Sequence, residues 1–169
     1  MKTDKIYLVG FMAAGKTTVA RALAGRLGWQ AEDIDELIEA RERRTVAEIF
    51  AKSGEPYFRG IERDILRVLL PLRHVVVATG GGTFADPENR AAINLDGLSV
   101  WLDVPFEALL ARTPADGRRP LAADRLRLEQ LFAARQAAYN MAHLHVDVGT
   151  APAEEVAERI LDAVRARPT

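Results

Sequence analysis

The chain has 169 residues, of which 49% are hydrophobic and 28% charged, and none is cysteine. That balance suits one domain with a packed core and excludes global disorder, a disulfide scaffold, a Cys-ligated metal and a thiol nucleophile. The 23 Lys+Arg and 24 Asp+Glu nearly cancel to a net charge of −1, which argues against nucleic acid or a membrane surface as partner. No apolar run approaches the ~20 residues that span a bilayer. The short apolar stretch from Ile6 runs straight into a glycine loop, unlike a secretory signal. These features predict a cytoplasmic protein. Arg outnumbers Lys by 19 to 4; such a bias is common in GC-rich genomes, so an Arg needs a positional argument before it counts as functional.

In chain order, Ile6–Val9 is a short buried-strand signal ending at Gly10. Val19, Leu23 and Leu27 step by four, the helical period, and Gly28 stops that helix. Trp29–Ile34 reads as a second strand, followed by two short helices around Leu37–Ile38 and Val46–Phe50, broken near Ser53-Gly54. Phe58, Ile61, Ile65 and Leu69 mark a longer helix that Pro71 terminates. Val75–Ala78 is a third strand, running into Gly80-Gly81-Gly82. A helix over Pro87–Leu95, a strand over Leu98–Leu102 and a helix over Pro105–Ala111 with Pro at its first position come next. Residues 113–120 read as a mobile Pro/Gly/Arg loop. Leu128, Leu131, Phe132 and Arg135 share one face of a further helix. Leu144–Val148 is the last strand, and Val156, Ile160 and Val164 mark a closing helix.

About five apolar strands alternating with helices predict an α/β fold, a mainly parallel sheet covered on both faces. Ligands of such sheets bind beyond the carboxyl ends of the strands. Attention therefore falls on Gly10–Thr17, Asp33–Asp35 and Gly80–Gly82.

Gly10-Phe11-Met12-Ala13-Ala14-Gly15-Lys16-Thr17 matches G-x-x-x-x-G-K-[ST] between a strand and a helix. Backbone N–H groups of such a loop converge on phosphate oxygens. Lys16 is expected on the β- and γ-phosphates and the Thr17 hydroxyl on Mg²⁺. The guanine-reading Asn-Lys-x-Asp is absent, and Val75–Ala78 ends in no acid. Asp33 and Asp35, if extended, point the same way into the cleft. One could hold magnesium and the other take a proton from an acceptor hydroxyl. The same string also suits a helix N-cap with an acidic first turn. Arg135, on an apolar helix face, requires an anionic partner. Arg59, one turn before Glu62, can pair with Arg135 to hold a carboxylate or phosphate. Arg118-Arg119-Pro120 suits a lid that brings charge to a phosphoryl group.

This ordered set resembles the bacterial shikimate kinase family over almost the whole chain. Gly10–Thr17 resembles its phosphate loop, and Asp33-Ile34-Asp35 its D-x-D, with Ile34 in place of the usual Ser or Thr. Gly54-Glu55-Pro56-Tyr57-Phe58-Arg59 with Ile61-Glu62 is similar to its G-E-x-x-F-R-x-x-E segment. Thr79–Gly82 resembles its modified Walker B region, and Arg118-Arg119-Pro120-Leu121 its R-P-L lid. Arg135 with Tyr139, then Val146-Asp147, resembles its last helix and strand.

The resemblance implies a three-layer P-loop kinase fold of the nucleoside-monophosphate-kinase type, one domain over residues 1–169. A five-stranded parallel sheet would be flanked by helices, with a small helical substrate-binding region over about 33–60 and a lid over about 112–124. It implies ATP- and Mg²⁺-dependent phosphorylation of the 3-hydroxyl of shikimate by a monomer. Carried over by position, Asp35, Lys16 and Arg119 would be catalytic. Gly10, Ala13, Ala14, Gly15, Lys16, Thr17 and Thr18 would hold the nucleotide phosphates, with Arg112 and Pro152 beside adenine. Asp35, Phe58, Arg59, Gly80, Gly81, Gly82 and Arg135 would meet shikimate, Arg119 would also contact the nucleotide, and Thr17 and Asp33 would meet the magnesium. Two other readings compete: a kinase of another small polyol acid such as gluconate, and a nucleotide-binding regulatory module without transfer activity.

Overall fold

The computed structural model describes residues 3–112 and 122–168. Among them the strands are β1 (Lys5–Val9), β2 (Gln30–Asp33), β3 (Val75–Ala78), β4 (Leu98–Asp103) and β5 (Leu144–Asp147). They form one sheet in the order β2-β3-β1-β4-β5, every pair parallel. β1 and β3 are buried at every residue, as central strands covered on both faces must be. The edge strands β2 and β5 keep exposed positions.

The helices are α1 (Lys16–Leu27), α2 (Ile34–Glu42), α3 (Val46–Ser53), α4 (Glu55–Leu69), α5 (Pro87–Asp96), α6 (Phe106–Ala111), α7 (Ala122–Tyr139) and α8 (Ala153–Arg165). A 3-10 turn spans Thr83–Ala85. Local chemistry sets their ends. Gly28 closes α1 with φ 69°, its N–H bonded to the Ala24 carbonyl. Thr45 caps α3 by accepting from the Glu48 N–H at 3.1 Å. Asp86 caps α5 by accepting from the Glu88 N–H at 2.8 Å, with Pro87 at the first helical position. The α4 positions read as apolar in sequence, Phe58, Ile61, Ile65 and Leu69, are all buried.

At the amino end of the sheet Lys5 is fully buried, its Nζ 2.6 Å from Asp96 Oδ2 and 2.5 Å from the Leu69 carbonyl. The Tyr7 hydroxyl donates to the same Asp96 oxygen at 2.6 Å. The charge that β1 carries into the interior is thus paired. Among the described residues no helix is long and apolar enough to cross a membrane.

Four local expectations are corrected. The second strand ends at Asp33 and not at Ile34; Ile34 opens α2 and is buried. Pro105 is the N-cap of α6, so the helix begins at Phe106, one residue later than expected. β5 stops at Asp147. On α7, Leu131 is exposed while Leu128 and Phe132 pack on the core and Tyr139 is buried within it, so the inward stripe steps by three and four from Leu128 to Tyr139. Most of the lid expected over 112–124, including Arg118, Arg119 and Pro120, lies outside the described residues.

Candidate active site

The strand order places the ends of β2, β3 and β1 side by side, and the loops singled out in sequence leave from these ends. The phosphate loop turns through Gly10 (φ 149°), Ala13 (φ 63°) and Gly15 (φ 90°). A Cβ on Gly10 would lie 2.9 Å from the Leu102 carbonyl of neighbouring β4, so this position admits only glycine. Gly15 is the N-cap of α1 and offers no side chain, which leaves the first N–H groups of α1 directed into the loop. Lys16 is buried, and its Nζ donates to the carbonyls of Gly10 (2.6 Å) and Phe11 (2.8 Å). Burial lowers Lys16 to about 8, against the opposing pull of Asp35 and Asp33. Ala14 is buried while Ala13 and Thr18 are exposed. Arg112, at the end of α6, turns back onto the loop and donates to the Ala14 carbonyl at 3.3 Å. Pro152 stands exposed at the N-cap of α8.

Asp33 and Asp35 do not share an extended strand. Asp33 is the N-cap of α2, its Oδ1 accepting from the Glu36 N–H at 3.0 Å. Its Oδ2 accepts the hydroxyl hydrogen bond of Thr17. Asp33 thus caps α2 with one oxygen and meets the phosphate-loop hydroxyl of Thr17 with the other. Thr17 and Asp33, the two groups expected at magnesium, meet directly; a hydroxyl and a carboxylate are hard oxygen donors that suit this cation. Asp35 lies in the first turn of α2, and its Oδ1 is buried with no hydrogen-bond partner among the described residues. Burial first, then the charge of Asp33, raise Asp35 to about 6, while Lys16 pulls the other way.

The triple glycine is built into a network. Thr79 points back at the sheet, its hydroxyl donating to the Leu8 carbonyl at 2.9 Å. The Gly80 N–H donates to Thr83 Oγ1 at 2.9 Å, and the Thr83 hydroxyl donates to Glu62 Oε2 at 2.8 Å. Fully buried Glu62 also receives Arg59 Nη1 at 3.0 and 3.2 Å. Burial opposes the charge of Arg59, yet Glu62 outweighs it and the guanidinium is held above its ordinary value. Phe58 is buried against Phe50 (ring centroids 4.6 Å apart), and the Arg59 guanidinium lies over its ring at 5.2 Å. Phe58 therefore supports Arg59.

Both arginines border the glycines. A Cβ on Gly82 would fall 2.7 Å from Arg59 Nη1, and one on Gly81 would fall 3.4 Å from Arg135 Nη1. Arg135 rests over Phe11 of the phosphate loop at 5.8 Å. Phe11 meets Phe132 edge-on at 5.4 Å, and Phe132 meets Phe106 at the same distance. Tyr139 Oη donates to the Gly81 carbonyl at 2.5 Å; burial raises it to about 12, which keeps it a donor. Sequence reasoning did not assign Phe11, Thr83 or the Tyr139 anchor. The one available signal was that Tyr139 follows Arg135 by four residues, one helical turn. Other arginines form surface ion pairs: Arg63 with Asp86, Arg67 with Asp64, and Arg125 with Glu107.

The phosphate-loop motif, Arg59 and Arg135 beside the triple glycine, and Asp35 with its buried Oδ1 thus gather beyond the ends of β1, β2 and β3. A sequence model described as shikimate kinase matches residues 12–165. The chain is 42% identical over 168 residues to a shikimate kinase of Caulobacter vibrioides, covering 98% of this chain and 84% of that one. It is 37% identical over 161 residues to one of Persephonella marina, covering 95% and 98%. The shikimate kinase of Acinetobacter baumannii in complex with shikimate superposes with a TM-score of 0.91 at 36% identity, covering 98% of this chain and 94% of that one. That of Aquifex aeolicus superposes at 0.86, again 36% identical, covering 95% and 96%. Matched over nearly its whole length in both sequence and fold, the chain belongs to the shikimate kinase family.

Proposed function

We propose that the protein transfers the γ-phosphoryl group of ATP to the 3-hydroxyl of shikimate, giving shikimate 3-phosphate and ADP. One observation carries the site assignment: a buried Asp35 oxygen with no hydrogen-bond partner among the described residues stands beyond the same strand ends as the Lys16 loop. A buried acceptor without a donor calls for one, and a substrate hydroxyl supplies it.

In this reading the loop N–H groups and Lys16 hold the β- and γ-phosphates, Lys16 exchanging its two loop carbonyls for phosphate oxygens. Thr17 and Asp33 would hold Mg²⁺, which supplies charge neutralisation on those phosphates. Arg59 and Arg135 take the shikimate carboxylate, for which two fork-shaped guanidiniums are suited. Gly80, Gly81 and Gly82 let the ring approach backbone closely. Asp35 accepts the hydrogen bond of the 3-hydroxyl and orients or deprotonates it; the loose transition state of phosphoryl transfer needs orientation above all. Arg119 is assigned to the transferring phosphoryl group, and Arg112 and Pro152 to adenine. The assembly acts as a cytoplasmic monomer.

The experiment is ADP release from MgATP by the purified chain, with shikimate, with gluconate and with neither. Strong dependence on shikimate alone is expected. Turnover with gluconate alone would refute the carboxylate clamp as assigned, and saturable ATP binding without turnover would refute the transfer reaction.

A further inference from the structure

At the sheet edge opposite β2, β4 and β5 end side by side, with Asp103 in register with Asp147 and Trp101 with His145. Residues in register, and residues two apart on one strand, point to the same face. His145 Nε2 accordingly lies 2.8 Å from Asp103 Oδ2 and 3.5 Å from Asp147 Oδ1. One ligand atom from each of the three residues can be chosen so that all lie within 4.8 Å of one another.

We propose that Asp103, His145 and Asp147 bind a borderline divalent transition cation, of which Zn²⁺ is the representative. Zinc bonds to His nitrogen and carboxylate oxygen run about 2.0–2.2 Å, so tetrahedral donors sit roughly 3.3–3.6 Å apart. The separations of 2.8 and 3.5 Å need only small side-chain rotations to reach that spacing. Two carboxylates neutralise the ion, and the imidazole selects against Mg²⁺ and Ca²⁺, which favour all-oxygen sets.

Three features prepare the site. The imidazole is stacked on buried Trp101 with centroids 4.3 Å apart and planes 24° apart, so its orientation is set before binding. Asp103 and Asp147 oppose each other across neighbouring strands, a like-charge pairing that is unfavourable without a cation. Arg159 donates to the Asp147 carbonyl at 2.8 Å and fixes the end of β5. All three side chains reach solvent, which supplies the fourth ligand as water. On binding, the metal replaces the contact between Nε2 and Asp103, and the ligating neutral imidazole carries its one N–H on Nδ1. The site is separate from the Thr17–Asp33 pair: β2 and β5 are opposite edges, four strand spacings or roughly 19 Å apart.

Isothermal titration of the intact chain with ZnCl₂, in excess Mg²⁺ so that hard oxygen sites are filled, tests this, with Trp101 fluorescence recorded in parallel. The expected result is one Zn²⁺ per chain with a change in Trp101 emission. Affinity should fall by at least about tenfold in His145→Ala, His145→Gln and Asp103→Asn and be retained in Asp33→Asn. Circular dichroism checks that each variant is folded, and His145→Gln keeps the test open should His145→Ala not fold. No stoichiometric binding, or binding lost in Asp33→Asn and kept in the His145 variants, overturns the proposal.

Discussion

Asp35 and Glu62 bring their carboxylates to the same glycine: a Cβ on Gly80 would sit 2.9 Å from Asp35 Oδ1 and 3.2 Å from Glu62 Oε2. The first acid faces the acceptor hydroxyl in the proposed reaction, and the second holds Arg59 and Thr83. In the proposed reaction Gly80 is the spacer between the acid assigned to the hydroxyl and the acid that holds Arg59. Gly80→Ala is predicted to keep the fold and lower kcat/KM for shikimate by about a hundredfold, the scale of a 1 Å misplacement of a reacting group. Steady-state kinetics with circular dichroism check this; an active folded variant would mean that the two carboxylates yield without consequence.

Arg135 sits on the Phe11 ring beside Gly81, where Tyr139 fixes the Gly81 carbonyl. In the proposed function, removing the guanidinium takes away charge-assisted hydrogen bonds to the shikimate carboxylate. Arg135→Ala is predicted to weaken shikimate binding by about 1.5–3 kcal/mol, a rise in KM of roughly 10- to 150-fold. The KM for ATP should stay within about twofold. Measuring both constants separates the clamp from a general disturbance, since equal losses for both substrates would deny Arg135 its assigned partner.

The pH profile follows from buried Lys16 and half-buried Asp35. In the proposed reaction Asp35 is ionised to accept the hydroxyl, and burial with the Asp33 charge places it at about 6. Lys16 must be charged to hold phosphate, and burial places it at about 8. The kcat/KM for MgATP, which reports the nucleotide-free enzyme, should be bell-shaped with apparent limbs near these values, shared by the coupled pair. A flat profile from pH 5 to 9 would contradict the assignment.

The same shift carries a stability consequence of definite sign. The folded value of about 6 for Asp35 exceeds the ~3.9 of an unfolded aspartate. Folding therefore favours the protonated acid, and stability present below about pH 4 is lost as pH rises through 6. Asp35→Asn removes that loss. Its Tm should exceed that of the unmodified chain at about pH 8 and converge with it near pH 4. A gap that is constant with pH would place the effect outside Asp35 ionisation.

Most of the architecture is legible from periodicity alone, because β1, β3 and α4 owe their form to local apolar pattern and to breakers such as Gly28. The boundary at Ile34 is not, since an apolar residue after Asp33 suits a strand and a capped helix equally; the cap settles it, with Asp33 Oδ1 on the Glu36 N–H. The phosphate loop is legible because its backbone demands glycine at Gly10 and Gly15. The links between Thr83 and Glu62, Tyr139 and Gly81, and Arg135 and Phe11 are not, because each joins elements far apart in sequence. Glu62 lies in between: its spacing from Arg59 suggests an ion pair, while its complete burial depends on α4 packing.

The most direct test of the central claim is ³¹P NMR of the reaction of the chain with MgATP and shikimate. The account predicts ADP together with a phosphomonoester on the shikimate 3-oxygen in equal amounts. ADP with inorganic phosphate and unmodified shikimate would contradict it, since the site would then be activating water and not the hydroxyl proposed for Asp35.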